Sequence, residues 1–320
     1  MAPCKPRTFT AGQDPLTKFD GAISVRNLPR PPDRLFLFHG IMRPSRGIYA
    51  KLIATGQKPP THFHPSQWEF FRVLRGNLTI DFNGRAIHRT ASDGELAVPP
   101  FTHHVIYGTP GTEMNEVEFV VSASDPAAEQ QGATVMDQPF FENWYGYQED
   151  VFQRGEKLDF IQVLSMFDAG GTYLSPPWWV PFRSWVGLFL GIVVGRWIGG
   201  LLGYAPFYPE WTTDWEAACE TMQQSWFQRR FADPQAQERA RERFRGQLEQ
   251  EASAKGGSQC RQIFLEQDPV PARAVPVLDP VLDPVLGLHY QFHPPLSQLL
   301  RVPVHVLVPA AFPVLVLVPA

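Results

Sequence analysis

Between Arg34 and Ser124 the apolar and aromatic residues come in short runs: LFLFHGI, GIYAKLIATG, EFFRVLRG, NLTIDFNG, GELAVPP, HHVIYG and NEVEFVVSA. The runs recur roughly every ten residues, and NG, DG, PP and PG turn signals separate them. This texture predicts an all-β sandwich or barrel ending near Ser124. The sharpest turn signal is Asn83-Gly84, two residues that suit the positive φ values of a tight hairpin. After about Asp137 the pattern becomes aromatic and helical, through FFENWYGYQEDVF and KLDFIQVLSMFDAGG, and reaches a proline-bounded apolar segment. Two capped helices follow, one from Asp214 and a mostly charged, solvated one from Asp233-Pro234.

The predicted organisation is therefore mainly β, a single barrel followed by a helical C-terminal region. Residues 1–32 read as an irregular lead-in and 33–125 as the barrel. Residues 137–206 form an aromatic and helical segment containing a hydrophobic helix at 182–205, and 207–255 form further helices. From 268 to 320 the chain is a Val/Pro tail (VPVLDPVLDPVLG, VPVHVLVPAAFPVLVLVPA) whose prolines forbid a regular helix or a central strand. We expect this tail to be foreign to the fold, an unspliced or misjoined exon.

Composition narrows the function classes. The 320 residues carry a formal charge of -4 with 19% charged side chains, which gives no basic field for nucleic acid. Cys4, Cys219 and Cys260 are odd in number and far apart, so neither a disulfide framework nor a C-x-x-C site is present. A reducing, intracellular setting is expected. The N-terminal MAPCKPRTFTAGQDP has no apolar run of a secretory signal, which predicts a cytoplasmic chain.

The chemistry lies in GQKPPTHFHPSQWEFFRVLRG, residues 56–76, and GELAVPPFTHH, residues 94–104. His62 and His64, two apart, point to one face of a strand. Glu69 follows past a bend at Pro65 and adds an oxygen donor. The fourth ligand must come from a distant strand, where His103-His104 offers it. His103 is expected to face the other way, and His39, His88, His289, His293 and His305 have no partners at ligand spacing.

The spacing of Gly56, His62, His64, Glu69 and Gly76 resembles the first motif of the cupins at every fixed position. Gly94, Pro99 and His104 resemble the second. There the gap between Gly94 and Pro99 is one residue short, and Phe101 and Gly108 stand where the family usually has Gly and Asn. The resemblance implies a double-stranded β-helix barrel in which His62, His64, Glu69 and His104 hold a divalent transition metal, Fe(II) first, with Mn, Zn, Ni or Cu compatible with the same donors. NWYGY, the DAGG-to-PPWW stretch and GRWIGGLLGY extend the likeness, over about residues 30–250, to cupin-domain oxidoreductases of fungal polyketide clusters of the salicylaldehyde type. The function so implied is a metal-dependent oxidoreductase acting on an aromatic or polyketide small molecule in secondary metabolite biosynthesis. Its alternatives are a non-redox cyclase, isomerase or decarboxylase, and a non-catalytic binding or scaffold protein. No catalytic residue beyond the ligands, and no organic cofactor site, is legible.

GLFLGIVVGRWIGGLLG, residues 187–203, places glycines at 187, 191, 195, 199 and 203 with Arg196 among them. Twenty residues of helix from Trp185 to Tyr204 span about 30 Å, enough to cross a hydrocarbon core. Ten Val, Leu, Ile or Phe side chains favour insertion by roughly 0.3–0.6 kcal/mol each, against about 2.5–3.5 for Arg196. Two readings stay open: membrane contact through 182–205, by span or shallow insertion, and burial of the glycine stripe within the domain. A homodimer is compatible with either.

Overall fold

The computed structural model describes residues 3–54, 58–109, 116–125 and 134–254. The alternation read in LFLFHGI becomes β3 (Arg34–Met42), in which Phe36, Phe38, Gly40 and Met42 are buried and Leu37, His39 and Ile41 between them are half-buried. β10 (Val117–Ser124) pairs with β3 on one side and with β5 (Glu69–Arg75) on the other. Together with β1 (Leu16–Lys18), β2 (Ile23–Asn27) and β8 (Glu95–Val98) they form a six-stranded sheet in the order β1-β2-β3-β10-β5-β8. A second sheet of five strands runs β11-β4-β9-β6-β7, built from β4 (His62–Phe63), β6 (Leu78–Phe82), β7 (Arg85–Arg89), β9 (His104–Gly108) and β11 (Tyr173–Leu174). Every pairing is antiparallel. From β3 onward the chain passes back and forth between the two sheets, which enclose Phe36, Phe71, Leu78, Ile80, Val98 and Val121, the arrangement of a double-stranded β-helix barrel. As expected, Asn83 (φ 50°) and Gly84 (φ 88°) make the turn between β6 and β7.

Two boundaries differ from the sequence reading. Residues 1–32 are not irregular throughout, because β1 and β2 extend the six-stranded sheet beyond β3. Their runs of three and five residues are too short to show a period. β1 is fixed largely from outside, by Lys18, whose buried ammonium meets Glu149 at 2.9 Å. Nor is the barrel complete at residue 125, since the two residues of β11 pair with His62 and Phe63 from within the helical region.

Beyond the short α1 (Gly47–Ala54), the helical region begins with α2 (Gln138–Gln153), capped by Asp137, whose carboxylate accepts from Phe140 N at 3.0 Å. Phe140, Trp144, Tyr147 and Val151 form one helical stripe against the barrel core. α3 (Phe160–Ala169) is capped by Asp159 in the same way. The glycine ladder then lies in one continuous helix: α4 (Arg183–Phe189), a π-helical stretch Leu190–Gly199 and α5 (Gly200–Leu202), closed by Gly203 at φ 101°. The π-helix explains the four-residue spacing. A period of four drifts by about 40° per step on an α-helix of 3.6 residues per turn, and the wider π turn reverses that drift. α6 (Trp215–Gln223), capped by Asp214, and α7 (Ala236–Ala254) follow. The predicted Val/Pro tail, residues 268–320, lies outside the described residues.

The ladder packs inward. A methyl group on Gly195 would lie 2.5 Å from the Leu164 carbonyl, on Gly191 2.7 Å from the Tyr173 ring, and on Gly187 2.5 Å from the Leu174 carbonyl. Arg196 is accounted for on the same face. Its guanidinium donates from Nε at 2.6 Å and from Nη2 at 2.9 Å to the fully buried carboxylate of Asp168. A two-point pair of this kind fixes the rotation of the helix on α3.

Candidate metal centre

β4 is only two residues long, yet it sets the site. His62 pairs across the sheet with His104 of β9, so the two imidazoles are cross-strand neighbours with ring centroids 4.5 Å apart. Phe63, next in the strand, points the opposite way and packs against His103 and Tyr173. His64 leaves the strand toward the same interior, with its ring 5.1 Å from His62 and 5.3 Å from His104. Glu69 arrives from the facing sheet as the first residue of β5. Its Oε2 lies 2.7 Å from His104 Nε2 and 3.6 Å from His64 Nε2. One donor atom from each of His62, His64, Glu69 and His104 falls within 4.8 Å of every other. His64, Glu69 and His104 are buried, and His62 stands at the partly open side of the group.

The outer nitrogens define which atoms face inward. His62 Nδ1 meets the Pro60 carbonyl at 3.0 Å and His104 Nδ1 meets the Thr102 carbonyl at 2.9 Å, so both must be N–H donors there. Thr172 Oγ1 donates to the Gly170 carbonyl and accepts from His64 Nδ1 at 3.2 Å. With Nδ1 committed to an outer partner in all three rings, Nε2 is the nitrogen each ring turns to the centre, the arrangement that surrounds ligating histidines. His64 Nε2 has no hydrogen-bond partner although it is buried. A buried polar atom left in that state is costly unless something else satisfies it, and a divalent ion is what three imidazoles and a carboxylate would satisfy.

Protonation is set for the same task. Lost hydration, then His104 and His64 beside it, push the His62 imidazole down to about 3. Burial by itself would raise the Glu69 carboxyl, but the 2.7 Å hydrogen bond to His104 and the nearby His64 imidazole hold it well below the usual carboxylate range. His104 is desolvated too, and its bond to Glu69 nevertheless leaves it raised.

The four ligands expected from the sequence are thus brought together. His103 turns away, between Ser175 Oγ at 2.6 Å and Ser184 Oγ at 2.9 Å, with burial and Arg183 lowering it to about 4. His88 bonds Thr79 at 3.0 Å and His39 lies 3.9 Å from Glu118, both remote from the group in register. Gly76 has φ 81° and a methyl there would meet the Glu116 carbonyl at 2.7 Å, which is why the motif needs glycine. Gly56 lies outside the described residues. Phe101 occupies the left-handed region at φ 62°, a conformation that suits glycine and strains an aromatic residue. Sequence reasoning missed Thr172 and Phe167, whose ring stands edge-on 6.3 Å from His62. Both lie about a hundred residues beyond the motif and carry no signal of their own.

Barrel and centre together define a cupin with a metal-competent His₃Glu set. No family model matches the chain. Oxidoreductase macE of Penicillium terrestre is 99% identical over 257 residues, 80% of this chain and 99% of that one. The probable oxidoreductase yanE of Aspergillus niger is 83% identical over 194 residues, 61% of this chain and 74% of that one. Among solved structures, a Klebsiella pneumoniae protein with a double-stranded β-helix domain covers 33% of this chain and 75% of its own, at 19% identity and a TM-score of 0.25. The chain belongs to the fungal oxidoreductase family that contains macE and yanE.

Proposed function

We propose that the protein is a metal-dependent oxidoreductase acting on an aromatic or polyketide-derived small molecule in fungal secondary metabolism, with His62, His64, Glu69 and His104 holding a divalent transition metal, Fe(II) first. The observation that carries this is the convergence of four donor atoms within 4.8 Å, one of them the unpartnered His64 Nε2. The relatives' names support the redox class. The ion, when bound, supplies Lewis acidity or a redox centre. The chain supplies the rest. The Pro60 and Thr102 carbonyls and the Thr172 hydroxyl fix the ring orientations, and Glu69 stays ionised beside them. Phe167 sets an apolar ring edge-on to His62, 6.3 Å between centroids.

The purified protein should contain about one divalent ion per chain by elemental analysis, a stoichiometry set by one four-donor centre. The His62→Ala, His64→Ala double variant should contain none. Equal metal content in the two would remove the basis of the reading. Oxygen uptake during turnover by the metal-loaded enzyme separates oxidation from isomerisation, cyclisation or decarboxylation.

A further inference from the structure

Among the described residues, Arg183–Leu202 is the helix long and apolar enough to cross a bilayer, but its glycine face is committed to α3 and β11 and its arginine to Asp168. A span would strip Asp168 of that partner. The opposite face has no such commitment: Trp185 (72% exposed), Phe189 and Leu201 lie on it. The loop before it adds Trp178 (83%), Trp179 and Phe182 (80%). Phe101, from the connection between β8 and β9, lines the same shallow depression as Trp178, Phe182 and Trp185. Phe101 and Phe182 both sit at positive φ, 62° and 54°, so the chain holds these rings outward at a cost in backbone strain. Monomeric proteins rarely leave an apolar surface of this continuity uncovered.

Charge distinguishes among occupants. No Asp or Glu occurs from residue 169 to 209, in a chain whose net charge is -4. Arginines border the face, and His103 lines the depression beside them. Arg183 flanks the depression. At the far end of the helix Arg230 donates to the carbonyls of Gly200 and Leu201, and exposed Arg229 stacks 3.5 Å over Trp226. Tryptophan with phenylalanine on one side, ringed by arginine, is the composition that seats in the headgroup region of an anionic bilayer. We propose that this face docks the protein on an anionic membrane surface, the helix lying in the interface plane rather than crossing it.

The test is co-sedimentation of the full chain with vesicles of phosphatidylcholine alone and of phosphatidylcholine mixed with phosphatidylserine. The expected result is binding that the anionic lipid strengthens and salt weakens. The Trp178→Ser, Trp179→Ser, Trp185→Ser triple variant alters exposed side chains and should lose at least about tenfold in vesicle affinity. Trp68→Ser, at a half-exposed tryptophan that precedes β5 of the other sheet, should lose none. Arg183→Glu with Arg229→Glu should remove the preference for anionic lipid. Metal content should match wild type in all of these variants, since none touches a ligand. Absence of wild-type binding to either vesicle, or equal binding by the tryptophan triple variant, would overturn the proposal. So would a wild-type dimer in sedimentation velocity that the triple variant converts to monomer without any vesicle binding, which would assign the face to a second copy of the chain.

Discussion

Asp168 and Glu69 are both buried carboxylates, and the protein uses them in opposite ways. Asp168 is fully matched: the Arg196 guanidinium donates to it twice and the Tyr173 hydroxyl once, at 3.1 Å. Glu69 faces three imidazoles whose inner nitrogens outnumber the hydrogen bonds available, and His64 Nε2 is left unpartnered. The first arrangement is closed and ties a helix to the fold. The second is open and leaves room for an ion. Completeness of partnering, rather than burial, separates a structural tie from a binding centre.

The comparison can be tested most strongly at the closed site. Arg196→Leu would leave Asp168 buried and uncompensated, and should cost about 3–5 kcal/mol in denaturant unfolding. A loss below about 1 kcal/mol would place the pair with ordinary surface bridges. Gly195→Ala comes next. Its methyl would press on the backbone of α3 at Leu164, which cannot swing aside as a side chain would, so a loss of about 1–3 kcal/mol is expected by the same measurement.

The open site should behave differently. In metal-free protein His64→Leu removes the unpartnered Nε2 together with the Nδ1 bond to Thr172, whose hydroxyl keeps the Gly170 carbonyl, and should change stability by no more than about 1 kcal/mol, while metal uptake measured by titration should fail. A loss as large as that of Arg196→Leu would show that the centre is a structural tie after all. The pH dependence is a smaller effect. His62 titrates at about 3 in the folded protein against about 6.5 when unfolded. The unfolded chain therefore binds a proton first as pH falls, and His62 lowers stability progressively from about 6.5 toward 3. Metal-free His62→Leu should give a flatter melting temperature across that window than metal-free wild type, and parallel curves would contradict the assignment. The smallest effect is expected at the tail: nearly all of macE matches within 257 residues of this chain. Removal of residues 268–320 should leave unfolding and metal content unchanged, whereas loss of the folded barrel would show that the tail belongs to it.

Much of the centre is legible in the amino-acid sequence alone. His-x-His on a strand, a glutamate five residues on and a histidine in a second glycine-proline motif are local spacings, and a strand's two-residue period converts them directly into a shared face. The Asn83-Gly84 hairpin and the caps Asp137, Asp159 and Asp214 are local in the same sense. The departure at Phe101 is visible as well, but not that the phenylalanine keeps the left-handed backbone a glycine would adopt.

The remainder depends on residues far apart in the chain. Thr172 reaches His64 across 108 positions, and β11 completes the second sheet by pairing with β4 from beyond the barrel motifs. The glycine ladder announces a close approach without naming the partner, because a small-residue stripe is equally suited to a lipid-embedded helix and to a neighbour in the same fold. Only the contacts of Gly187, Gly191 and Gly195, and the meeting of Arg196 with Asp168 twenty-eight residues earlier, turn that face inward and leave the tryptophans outside. Sequence alone determined which residue types recur at strand and helix periods, since those follow from local backbone geometry. Tertiary structure decided which nitrogen stays unpartnered and which side of the helix is covered, since both depend on how distant elements share the same small volume.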